Sequence, residues 1–166
     1  MKGVLRHLSS FTAPFLLCLV VPYLIAWQEQ GSRVPAFASS RVQALIGLLI
    51  TLAAFVLLVA NIRMFILIGN GTIMPWDPTR KLITGSLYAY VRNPMIMSVI
   101  LVQVGEAVLF ASRGIALLAG LNFLINTVYF ILLEEPGLEK RFGAKYLEYK
   151  KNVPRWLPRL KPWRPG

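Results

Sequence analysis

The chain has 166 residues, an apolar fraction of 56%, a charged fraction of only 15% and a formal net charge of +11. Soluble domains carry roughly 45–50% apolar and about 25% charged residues, so these values argue against an ordinary soluble fold. One cysteine excludes a disulfide scaffold and a cysteine-based zinc cluster.

In chain order, four stretches read as membrane spans, each near the ~20 apolar residues that cross a bilayer as a helix. They cover about residues 8–27, 42–68, 94–111 and 115–133. The first holds Pro14 and Pro22, ends in Trp27 and lacks a tidy small-residue cleavage site, so it reads as a retained span. Trp27 is expected at the interface and Cys18 as a small packing residue. The second span is the clearest, and Gln103 and Glu106 interrupt the third. The expected architecture is an all-α integral membrane protein with one membrane domain over residues 1–166. It has four transmembrane helices, a cytosolic loop at 69–93, and an amphipathic tail at 134–166 made of an interfacial helix and an extended end.

Charge placement gives the orientation. Fourteen of the eighteen Lys and Arg residues fall on one side: Lys2, Arg6, Arg80, Lys81, Arg92 and nine between Lys140 and Arg164. Arg33, Arg41 and Arg113 fall on the other, and Arg63 can snorkel from the end of the second span. The positive-inside rule then puts both termini and the long loop in the cytosol. A basic chain can also bind nucleic acid. Here the cations follow membrane topology without aromatic interleaving, so no nucleic-acid partner is expected.

Leu138, Phe142, Tyr146 and Tyr149 recur at helical spacing and predict an amphipathic helix, with Gly143 as an irregularity. Four prolines between Val153 and Gly166 rule out a regular helix there. That segment is expected to lie along the headgroups or fold back over a site.

A few residues have no explanation in composition. Adjacent Glu134 and Glu135 repel at the end of the fourth span, so one of them is expected to find a cation or backbone amides. Glu106 is expected to pair with Arg113 or Arg41, or to line a cavity. Asn122 and Asn126 share a helix face and are expected to bond between helices or to touch a buried ligand. Asn93 and Pro94 suit the N-cap and first residue of the third span, where free amides and Arg92 favour an anion such as a carboxylate. Gly69-Asn70-Gly71 lacks the third glycine of a dinucleotide fingerprint, since Met74 stands in its place. The lone His7 makes a histidine metal site or a serine-histidine-aspartate triad improbable, and no metal is expected.

Arg92-Asn93-Pro94-Met95, followed by Glu134-Glu135, resembles the isoprenylcysteine carboxyl methyltransferase and phospholipid methyltransferase superfamily. The resemblance extends to Phe142-Gly143-x-x-Tyr146-x-x-Tyr149 and to Val153-Pro154-Arg155-Trp156-Leu157-Pro158. Upstream, Gly71-Thr72, Pro75, Asp77-Pro78, Gly85 and Tyr88 look like the bacterial branch. Ile96 and Ser98 stand where relatives often carry Tyr and Gly, and no basic residue precedes the Glu pair between Asn126 and Leu133.

The resemblance implies an integral-membrane enzyme of the bacterial inner membrane, using S-adenosylmethionine on a lipophilic acceptor from the cytosolic side. Its partners would be that acceptor and membrane lipids. The amino group of the cofactor would meet Glu134 or Glu135. Its carboxylate would meet Arg92 and the backbone near Asn93, Pro94 and Met95. Its adenine would lie among Tyr88, Leu138, Phe142 and Tyr146. Arg92 and Glu134 are the residues expected to act at the reaction itself. Methyl transfer is an in-line displacement that depends mainly on alignment. The rival readings are a sterol-reductase-like enzyme using NADPH and a lipid-binding scaffold without chemistry.

Overall fold

The computed structural model describes residues 15–32, 34–68 and 82–164. Expectations resting on Lys2, Arg6, His7, Pro14, Arg33 and residues 69–81 fall outside the described residues, including Gly71, Thr72, Pro75, Asp77 and Pro78. Among the described residues every regular element is helical and no strand occurs.

Helix α1 covers Leu16–Glu29, α2 Arg41–Ile68, α3 Pro94–Leu109, α4 Arg113–Phe142 and α5 Ala144–Asn152. A 3₁₀ turn at Ser86–Ala89 precedes α3. Two helices contain a π-helical stretch, Leu16–Val20 in α1 and Phe130–Glu134 in α4. Each lies just before a proline, Pro22 and Pro136. Proline removes a helix hydrogen bond and crowds the preceding turn, and a widened turn absorbs both effects. This lets α4 pass the Glu134–Glu135 pair without ending, so the fourth apolar stretch and the first part of the tail form one helix.

Two helices are long and apolar enough to cross a membrane, Arg41–Met64 and Arg113–Phe142. Only 22% and 17% of their most apolar windows are buried within the protein. Leu45, Leu49, Leu52, Phe55 and Val56 of α2 all face outward. Side chains of this kind suit a hydrocarbon surround, where a soluble core helix would bury them. Leu16–Glu29 and Pro94–Leu109 are shorter apolar helices. The start expected for the first span lies outside the described residues.

The chain divides into two compact units. The first comprises Met1–Ala60 and Ser98–Phe123, the second Asn61–Met97 and Leu124–Gly166.

Within the first unit, α2 and α3 meet backbone to backbone. A Cβ at Gly47 would collide with the backbone of Leu109, and one at Gly105 with Thr51. Small residues at a helix crossing permit this close approach. Fully buried Gln103 donates from Nε2 to the Leu17 carbonyl at 3.1 Å, and Asn122 Nδ2 donates to Gln103 Oε1 at 3.2 Å. Asn122 is thus an interhelical residue, one of the two uses its position allows. Cys18 is buried, as expected of a packing residue. Glu106 is 7% exposed, and its Oε2 has no hydrogen-bond partner among the described residues. Arg41 and Arg113 are exposed. Neither forms the ion pair with Glu106 that the sequence suggests.

Candidate active site

The second unit gathers the residues that carry the sequence motif. Its core is Tyr146, Tyr149 and Val153, with Leu82, Leu138, Phe142 and Trp163 packed against it. Tyr146, Tyr149 and Val153 lie on α5 and just beyond it. The spacing predicted one amphipathic interfacial helix with Leu138, Phe142, Tyr146 and Tyr149 on a single face; these residues instead pack into this core and are supplied by two helices. Gly143 divides them at φ +54° and ψ −130°. Side chains rarely adopt that backbone conformation, so the irregularity requires glycine.

Beyond α5 the prolines produce a strap, residues 153–164, which folds back on the segment before α3. The Arg92 amide donates to the Pro154 carbonyl at 2.9 Å. Arg159 N donates to Tyr90 O, and Trp163 N to Ala89 O, each at 2.9 Å. The Tyr149 hydroxyl adds a bond to the Tyr88 carbonyl at 2.8 Å. Trp163 packs on Tyr149 with ring centroids 5.6 Å apart, and Trp156 packs on Phe130 at 5.7 Å. The strap thus satisfies backbone groups that a lone loop would leave to water.

The electrostatic centre is Glu135, which is 4% exposed. Its Oε1 accepts from Arg155 Nε at 2.7 Å and lies 2.9 Å from Arg92 Nη1. Its Oε2 lies 3.2 Å from Lys150 Nζ, which also meets Glu139 at 2.6 Å. The Glu139 and Glu135 carboxylates hold the Lys150 ammonium above its ordinary pKa. The adjacent-acid argument, that one of the pair must find a cation, is met three times over at Glu135. Glu134 turns elsewhere on the helix. It hydrogen-bonds the Tyr129 hydroxyl and feels the charge of Arg141.

Arg92 is nearly as buried as its partner, with a side chain 10% exposed. Its Nη1 is close to Glu135 but not aligned as a hydrogen bond, and its Nε has no acceptor at all. Only the Nε–H of this permanent cation is therefore left without a protein partner among the described residues, since Nη1 is held in the ion pair with Glu135 and the Tyr146 hydroxyl also hydrogen-bonds the guanidinium.

The remaining motif residues are placed as follows. Pro94 is the buried first residue of α3, and the Asn93 carbonyl accepts from Met97 N at 3.1 Å. Met95 is half-buried beside them. Tyr88 sits in the 3₁₀ turn, and burial pushes its phenol well above the ordinary pKa. Leu138 and Phe142 are half-buried, whereas Tyr146 is 2% exposed and already enclosed by protein. Arg92 and Glu135 are brought together, and Glu134 and Tyr88 lie close enough to interact electrostatically. Sequence reasoning missed Lys150 and Arg155 as partners of Glu135. Neither is a helix neighbour of Glu135, and only the turn at Gly143 and the returning strap bring them within reach.

A family model for phospholipid methyltransferases matches residues 42–145. That is well over half of the chain, and the chain belongs to the phospholipid methyltransferase family. It is a membrane protein of a methyltransferase family. The match includes Arg92, Asn93, Pro94, Glu134 and Glu135, while Arg155 and the strap lie beyond it. No curated protein matches the chain, and no solved structure does.

Proposed function

We propose that the protein is an S-adenosylmethionine-dependent membrane methyltransferase acting on a lipophilic acceptor at the cytosolic face. The observation that carries this reading is Arg92, a buried guanidinium whose Nε–H lacks an acceptor, inside the family's matched segment. A carboxylate oxygen fits that donor, because charge-assisted bonds to a planar guanidinium are strong and directional. Glu135 is saturated by three cations, so Glu134 is the acid of the pair better suited to an amino group.

Bound S-adenosylmethionine supplies a methyl group activated on sulfur. The protein's part is to bind and align. Arg92 takes the carboxylate, Glu134 the amino group, and the partly exposed edges of Leu138 and Phe142 offer apolar surface for the adenine. Tyr146 contributes from behind as packing. Asn93, Pro94 and Met95 set the start of α3 beside Arg92. The transfer itself is an in-line displacement, and orientation supplies most of the rate. The outward apolar faces of α2 and α4 support a lipophilic acceptor that arrives through the bilayer.

Calorimetry of the purified protein in detergent tests this. S-adenosylhomocysteine should bind saturably, and Arg92→Met should weaken it by about tenfold or more, the loss expected for one charge-assisted contact. Absence of binding at millimolar ligand, in protein whose helicity is intact, overturns the reading. Transfer of a labelled methyl group to a lipid extract, resolved by mass spectrometry, then identifies the acceptor.

A further inference from the structure

The cluster around Glu135 has an imbalance that its own bonds do not remove. Three cations, Arg92, Lys150 and Arg155, surround two carboxylates, Glu135 and Glu139. Lys150 is partly exposed and can share its charge with water, but Arg92 is buried and keeps its Nε–H without an acceptor. Burying a guanidinium with donors unmet is costly unless another group completes it. Glu135 cannot do so. Its Oε1 already serves both Arg92 and Arg155 and its Oε2 faces Lys150, leaving no oxygen clear of a cation.

The same carboxylate ties together three parts of the chain: the segment before α3 through Arg92, α5 through Lys150, and the strap through Arg155. The strap meets Arg92 a second time, because Pro154, adjacent to Arg155, accepts the Arg92 amide. Both ends of Arg92, backbone and side chain, are therefore fixed by a single structural unit centred on Glu135.

We propose that Glu135 is a positioning residue rather than a ligand contact: it holds the Arg92 guanidinium in place through Nη1 and locks the strap, so that Arg92 presents its Nε–H to the carboxylate of an amino-acid-bearing ligand. This rests on the proposed S-adenosylmethionine site, and it assigns the two acids different tasks. Glu134 faces the ligand's amino group, and Glu135 acts only through the cations it holds, Arg92, Lys150 and Arg155.

The two roles separate with two ligands and one ligand-free measurement. S-adenosylhomocysteine carries both the amino group and the carboxylate, and its decarboxylated analogue keeps only the amino group. Under the proposal, Glu135→Gln weakens S-adenosylhomocysteine about tenfold and leaves the decarboxylated analogue unchanged. Glu135→Asp restores part of the loss, and Glu134→Gln weakens both ligands. An equal loss of both ligands in Glu135→Gln would overturn the proposal, because Glu135 would then touch the amino group itself. Without ligand, Glu135→Gln should make the strap cleave several-fold faster with trypsin at Arg155 and Arg159, and unchanged cleavage would also overturn it. If wild-type protein binds neither ligand but the variant's strap is released, the cofactor reading fails and the strap-locking role stands.

Discussion

Arg155 donates from Nε to Glu135 Oε1 at 2.7 Å, across a sequence separation of 20 residues. This is the side-chain bond that fastens the strap to α4. Replacing Arg155 with Met removes the bond but leaves Glu135 with Arg92 and Lys150. The cost should therefore be about 1–3 kcal/mol, the range for losing a hydrogen bond to a charged group. It should stay below the ~3–5 kcal/mol of stranding a buried charge. Thermal unfolding in detergent measures it. The emission of Trp156 and Trp163, whose rings pack on Phe130 and Tyr149, should shift to the red in the same variant. An unchanged midpoint together with unchanged emission would show that the strap does not depend on Arg155.

Alkali should act on the second unit through its tyrosines. Burial raises the phenol pKa of Tyr88, Tyr146 and Tyr149. In the unfolded chain these groups ionise near ~10. Between that value and the higher folded value the unfolded state holds fewer protons, so stability falls as pH rises. The expectation is full stability from these groups below about pH 10 and progressive loss above it. Tyrosinate absorbance should lag in folded protein and step up on unfolding. Tyr149→Phe should flatten the pH dependence while losing the bond to the Tyr88 carbonyl. A titration of folded protein that follows free tyrosine would contradict the buried placement.

The helices were legible in the sequence because their signal is local. Apolar runs mark α2 and α4, Pro94 marks the start of α3, and the spacing from Leu138 to Tyr149 marks one shared apolar face. The sequence offered the cations less clearly: adjacent carboxylates implied that one of them finds a cation, but not that Arg92, Lys150 and Arg155 all meet Glu135, because Lys150 and Arg155 arrive through a glycine turn and a returning strap. Four prolines announced that the tail could not be a helix, and left open whether it lay on headgroups or folded back. Backbone bonds from Arg92, Arg159 and Trp163 establish the second alternative. Of the two readings of Glu106, the ion pair fails for a related reason. Charge bookkeeping along the sequence offered Arg41 and Arg113, yet both face outward while Glu106 faces in.

Gly143 is the hinge on which the tyrosine face depends. At φ +54° and ψ −130° a Cβ is strained, although no neighbouring atom would obstruct it. Gly143→Ala should therefore destabilise by about 1–3 kcal/mol through backbone strain alone. Thermal unfolding checks the size. Helicity by circular dichroism should rise if α4 and α5 fuse, and the Lys150 contacts to Glu135 and Glu139 would then be lost. A neutral substitution would mean that the turn relaxes without cost.

A second closure, in the first unit, holds the start of α4. Ser112 Oγ accepts from Ile115 N at 3.1 Å and donates to Glu29 Oε2 at 2.5 Å. Glu29 Oε1 accepts from Gly114 N at 2.7 Å. Two early amides of α4 are thus satisfied, and a carboxylate sits at the positive end of the helix dipole. A Cβ at Gly114 would meet Ile25 and Glu29, so glycine is also needed for that carboxylate to come so near. Ser112→Ala should cost about 1 kcal/mol, as for the loss of an N-cap. Glu29→Gln should cost less than Glu29→Ala, because the amide oxygen still accepts one bond. The two residues share one network, so the double variant Ser112→Ala with Glu29→Ala should lose less than the sum of the singles. A double-mutant cycle by thermal unfolding in detergent measures the coupling, and strict additivity would show that Glu29 and Ser112 cap the helix independently.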